Sequence, residues 1–128
     1  MKTFQQLDAF QHALDLMVAV YKATETFPRS EVYGLTSQLR RASTSVVSHI
    51  AEGQGRLTRG EWRQFLSQAR GSLFEVEAQM LAAHRLSYLS LEALLELQIL
   101  SARTAGPLMG LIRYVSKQEK AARSRRGA

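Results

Sequence analysis

Trp62, Phe65, Leu66, Ala69, Leu73, Val76, Met80 and Ala83 recur three or four positions apart. At about 100° per residue that spacing gathers them onto one face of an α-helix running about six turns, which no strand could reproduce. The same period governs Leu35, Leu39, Ala42, Val46 and Ile50 in an earlier stretch and Phe10, Leu14, Met17, Val18 and Tyr21 before it. It returns in Leu91, Leu94, Leu95, Gln98, Ala102, Ala105, Met109, Ile112 and Val115. Nowhere do apolar and polar residues alternate with the period of two that marks a half-buried strand. One-sided helices joined by short connections must bury their stripes against each other. The expected fold class is all-α, an antiparallel up-down-up-down four-helix bundle.

Local chemistry sets the expected ends. Asp8 followed by Gln11 has the pattern of a capping box for the first helix, and Phe27-Pro28 ends that helix near Thr26, because proline disfavours helical geometry in the residue before it. Gly53 is expected at C′ after the second helix, residues 35–52. Thr58 with Glu61 caps the third helix and Ser90 the fourth. Gly106-Pro107 interrupts the fourth stripe, and the missing N–H and ring clash of proline predict a kink of more than about 20° rather than a break. Residues 1–116 are then the bundle. Residues 117–128, which lack an apolar stripe, are expected to fray into a disordered basic tail. Gly71 lies off the third stripe, where its missing side chain costs about 1 kcal/mol of helix stability relative to Ala. Such a cost suggests close contact with another backbone. With Phe74 and Leu81 beside it, Gly71 marks a second edge facing a partner subunit.

At 128 residues with 45% hydrophobic content, the chain suits one globular domain. Zero cysteines exclude disulfides and thiolate metal sites and are compatible with a reducing compartment. No apolar signal core opens the sequence and no run reaches membrane length, so a cytoplasmic protein with no membrane partner is expected. The net charge of +6 is uneven: residues 29–70 carry seven arginines against three glutamates, net +4, and residues 117–128 carry five basic groups against one acidic, also net +4. The two remaining segments are each net −1. A local excess of this kind can attract polyanions.

Bound-metal and nucleophilic chemistry find little support. The Glu-x-x-His pairs of di-iron bundles are missing, since His12, His49 and His84 are preceded at that spacing by Ala9, Val46 and Leu81. No Gly-x-Ser-x-Gly elbow exists, and Gly53-Gln54-Gly55-Arg56 follows no strand and leads to no Gly-Lys-Ser/Thr. No cofactor and no enzymatic activity are expected. Arg41, Glu52 and Glu75 read first as a structural polar network, with an external anion as the competing reading. Arg40, Arg56, Arg59, Arg63 and Arg70 have few acids near them in sequence. They are the candidate nucleic-acid contacts, against the alternative of an ordinary solvated face.

The segment Tyr33-Gly34-Leu35-Thr36-Ser37-Gln38-Leu39-Arg40-Arg41-Ala42, followed by Ile50-Ala51-Glu52-Gly53-Gln54-Gly55-Arg56, resembles the four-helix-bundle family of ribosomal RNA intervening-sequence proteins. Phe65-Leu66-Ser67-Gln68-Ala69-Arg70-Gly71-Ser72-Leu73-Phe74-Glu75 is similar to that family's second block, and Phe27-Pro28 to its lead-in. The resemblance covers residues 4 to 116. It departs where Val46-Val47 replace the family's usual Ile-Pro and His49 its Asn. The resemblance implies the same bundle, a ring-shaped homo-oligomer of five copies, and a connection to RNA. Together these readings lead to a non-enzymatic oligomer that binds structured RNA, or DNA, through its arginines. The alternative is a scaffold or accessory subunit for a protein partner.

Overall fold

The computed structural model describes residues 3–127. Its helices are α1 (Asp8–Thr24), α2 (Leu35–Gln54), α3 (Arg59–Arg85) and α4 (Leu91–Gly127), with short 3-10 turns at Phe4–Gln6 and Arg29–Glu31. The described residues contain no strand. α1 and α3 each pack against both α2 and α4. Their shared core is fully buried at Leu16, Leu39, Ile50, Leu66, Met80, Leu97 and Leu108.

The second and third stripes point inward as expected: Leu39, Ala42, Val46 and Ile50 of α2 and Leu66, Ala69, Leu73, Val76, Met80 and Ala83 of α3 are buried. The first and fourth are rotated. On α1 the buried set is Ala9, Phe10, Ala13, Leu16, Val20 and Thr24, while Val18 and Tyr21 are exposed. Small alanines here meet the neighbouring helices, and bulk was a poor guide to the inward face. On α4 the core takes Leu94, Leu97, Ser101, Thr104, Leu108 and Val115 and leaves Leu91 and Leu95 outside. Two hydroxyls fit that core because each has a partner. Ser101 donates to Glu77 Oε1 at 2.7 Å and Thr104 to the carbonyl of Leu100 at 2.9 Å.

Thr58 caps α3 by accepting from the Glu61 N–H at 3.2 Å, and Ser90 caps α4 by accepting from the Ala93 N–H at 3.1 Å. The capping box expected at Asp8 is not formed. Leu7 occupies that N-cap without a side-chain bond, Asp8 is the first helical residue, and Gln11 donates to the carbonyl of Gln5. The reciprocal pattern sits one turn earlier, between Thr3 and Gln6. At the far end of α3, Ser87 takes φ 65°, and Tyr88 N–H reaches the Ala83 carbonyl at 2.9 Å. This is the Schellman closure, made by serine where glycine is usual.

The turns between α1 and α2 and between α3 and α4 are tied together. Glu31 Oε1 accepts from the first amide of α2, at Leu35, while Glu31 Oε2 accepts from the Tyr88 hydroxyl at 3.0 Å. That hydrogen bond, with burial and the same carboxylate's charge behind it, raises the Tyr88 phenol above its ordinary value of 10.0. The tie is therefore intact below the ordinary phenol range and is lost as pH rises through the raised folded value.

Gly53 does not stop α2. It is buried inside the last turn, where a Cβ would lie 2.8 Å from Trp62 Cδ1 and 3.2 Å from Phe65 Cβ. It lets the start of α3 approach. Gly53→Ala is expected to lose more by overpacking, typically ~1–3 kcal/mol, than the ~1 kcal/mol gained in helix propensity, and so to lower the urea midpoint.

α4 carries Pro107 within one uninterrupted helix and continues to Gly127, so residues 117–127 are helical in place of the expected fraying tail, and Ala128 lies outside the described residues. Good helix formers fill this stretch, and neither proline nor glycine intervenes between Val115 and Arg126. Ser116, Gln118, Glu119 and Ala122 are half-buried, so the segment lies against the bundle.

Candidate nucleic-acid interface

Helix α4 delivers the C-terminal basic run to the loop between α2 and α3. The contact that fixes it is Glu119, whose side chain is only 14% exposed: Oε1 accepts from Arg63 Nε at 2.9 Å, and Oε2 lies 3.5 Å from an Arg123 terminal nitrogen. Gly60 makes room, since a Cβ there would stand 2.8 Å from Glu119 Oε2. Beside this contact opens a concavity of about 300 Å³ lined by Thr58, Arg59, Gly60, Glu119, Arg123 and Arg126. The C-terminal segment of net +4 charge thus meets Arg59 and Arg63 of the earlier basic segment, remote in sequence, at one end of the molecule.

The other candidate arginines do not join it. Arg40 is spent on helix packing: its Nε donates to Thr24 Oγ1 at 2.7 Å, another nitrogen reaches the Tyr21 carbonyl, and its plane covers the Tyr21 ring. It lies 16 residues before Arg56, and the part of α2 from Arg40 to Gln54 alone rises about 21 Å. Arg70 rests over Phe74 at 5.2 Å and borders a small apolar groove with Ala105, Leu108 and Met109. Arg56 is near the basic end but covers the Phe65 ring at 4.2 Å and sits 3.8 Å from Glu52. Arg63 holds Glu119. Of the five, Arg59 is the one that lines the concavity, and it has no ion pair among the described residues.

Among the described residues of one chain, Arg41, Glu52 and Glu75, expected as a network between helices or subunits, are not joined to one another. Arg41 and Glu75 line one groove between α2 and α3 without an ion pair, and Glu52 turns to Arg56. Ser72 and Ser45 bridge that interface instead, Ser72 donating to Ser45 at 3.0 Å and Ser45 bonding His49 Nδ1 at 3.0 Å. His84 Nδ1 donates to the Leu89 carbonyl. Among the described residues no group of three His, Asp or Glu side chains could hold a metal ion. None of the helices is long and apolar enough to cross a membrane. No neighbouring side chain or other helix lies within 4 Å of where a Cβ at Gly71 would stand, and Phe74 and Leu81 are exposed, Phe74 at the edge of the groove against α4.

The family model described as 23S rRNA-intervening sequence protein matches residues 5–108. The chain belongs to that family. No curated protein matches it. The intervening-sequence family match takes in all of α1, α2 and α3 and stops at Leu108 of α4. Arg123, Arg126 and their anchor Glu119 therefore stand outside the matched family region. Sequence reasoning named the basic tail but missed Glu119. The available signal was its spacing of four from Arg123 in a run free of helix breakers.

Proposed function

We propose that this intervening-sequence family protein is a non-enzymatic, homo-oligomeric bundle that binds structured RNA in the cytoplasm. The observation that carries the reading is the shared basic end, where Arg59, Arg123 and Arg126 line one concavity. Phosphate contacts made there would be strong in low salt and weakly selective for sequence. An antiparallel up-down-up-down order belongs to this reading. It is supported by the pairing of Arg63 with Glu119 and of Glu77 with Ser101, in which position rises on one helix as it falls on the other. A ring of copies, five by the family resemblance, would repeat the basic end around an axis and multiply its field. Exposed Phe74, Leu81, Leu91, Leu95 and Ile99 offer apolar surface for such contacts.

Titration of a paired RNA hairpin by gel mobility at low and moderate salt tests the binding. Retardation that weakens steeply with salt supports it, and no retardation at low salt rejects it. Gly71→Ala tests the oligomer. In an isolated subunit the new methyl meets nothing, so stability is expected to rise by about 0.5–1 kcal/mol. If copies pack backbone to backbone at Gly71, the native mass instead shifts toward smaller species.

A further inference from the structure

We infer that Glu119, an acidic residue in the middle of a basic surface, is the positioning residue that builds this surface into a site for a nucleic-acid phosphodiester backbone. The inference rests on the nucleic-acid reading above and adds the part that makes it work. Arg59 sits at the start of α3 and Arg123 and Arg126 on the last turns of α4, so nothing in the chain's connectivity holds them together. Glu119 does so. It binds Arg63 of α3 with one oxygen, steadies Arg123 one turn on with the other, and lies close against Gly60, where a Cβ would stand 2.8 Å from its Oε2. Both oxygens are thereby occupied and its charge is matched by two guanidinium groups, which leaves Arg59 and Arg126 to face an incoming anion. Long side chains on a freely fraying helix end would first have to be ordered by the ligand, and that entropy would be subtracted from affinity.

Charge alone and positioning make opposite predictions. Removing Glu119 raises the net charge by one, so a purely coulombic surface would bind a polyanion more tightly. A positioned surface would bind it less tightly. The test compares wild type, Glu119→Ala and Glu119→Gln, using a fluorescein-labelled RNA hairpin with a fully paired stem, and measures amide exchange over residues 117–127 in the free proteins. Gln keeps an oxygen that can accept from Arg63 while losing the charge.

The expected result is an Ala variant with about tenfold weaker affinity, a salt slope shallower by about 0.9 for each phosphate no longer neutralised, and faster exchange at the end of α4. The Gln variant is expected to exchange as wild type does and to bind at least as tightly as wild type. Tighter binding by both variants overturns the inference, as does weaker binding by Ala with unchanged exchange. Failure of wild type to bind the hairpin rejects the nucleic-acid reading itself, whereas binding with the wrong order of variants rejects the role of Glu119 alone. A DNA duplex of matching sequence, run as competitor, separates the two sources of the backbone. Weaker competition assigns the site to RNA, and equal competition overturns that assignment while leaving the phosphodiester site.

Discussion

Replacing Arg59, Arg123 and Arg126 together by Ala is expected to reduce affinity for structured RNA by about a hundredfold or more near 0.1 M salt, and to flatten the dependence of log affinity on log salt by about 1.8, from the two arginines that Glu119 leaves free. The slope is the more telling number, because each phosphate neutralised by a cation releases condensed counterions and contributes about 0.9 to it. These three side chains line one concavity. Among the described residues neither Arg59 nor Arg126 pairs with a carboxylate, and Arg123 shares Glu119 only at 3.5 Å. The fold should not suffer, since all three residues are exposed. Arg40→Ala should behave in the opposite way. Its nitrogens serve Thr24 and Tyr21, so its loss should lower stability while leaving the salt slope of binding unchanged.

The second large effect concerns the bundle. Leu66→Ala is expected to destabilise the protein by about 2–5 kcal/mol, with a fall in Tm of roughly 10 °C or more. Leu66 is fully buried where α3 meets the core, so truncation opens a space that its neighbours can only partly close over. Leu57→Ala is the matched control. Leu57, in the loop just before α3, is 99% exposed, and its truncation should stay within about 0.5 kcal/mol of wild type. Thermal unfolding of the two proteins side by side, with equal losses in both, would contradict the placement of α3.

How much of this was legible in the sequence depends on how many faces each helix could offer. α3 has one apolar stripe and α2 has one with hydroxyls opposite, so period alone identified their inward sides. α1 is apolar nearly all round between Ala9 and Tyr21, and α4 likewise between Leu91 and Leu100. Several stripes satisfied the same period, and the choice among them was made by packing: Ala9 and Ala13 fit close helix contacts, and Ser101 fits because Glu77 waits across the interface. The site was legible in its ingredients but not in its assembly. Arginine counts marked two basic segments, yet Arg40 and Arg70 were already engaged with aromatic rings, which sequence spacing could not reveal. The bond from Arg63 to Glu119 spans 56 positions. No local pattern encodes a contact of that range, and this contact turns what read as a loose tail into one wall of the site.

The claim on which the rest depends is that the end of α4 is held beside the loop between α2 and α3. Because the chain has no cysteine of its own, Leu57→Cys with Arg126→Cys gives a doubly spin-labelled protein whose label separation can be measured directly. A single narrow distribution at short distance, broadened when Glu119 is also replaced by Ala, is the predicted result. A broad distribution reaching long distances in the protein with Glu119 intact would contradict it.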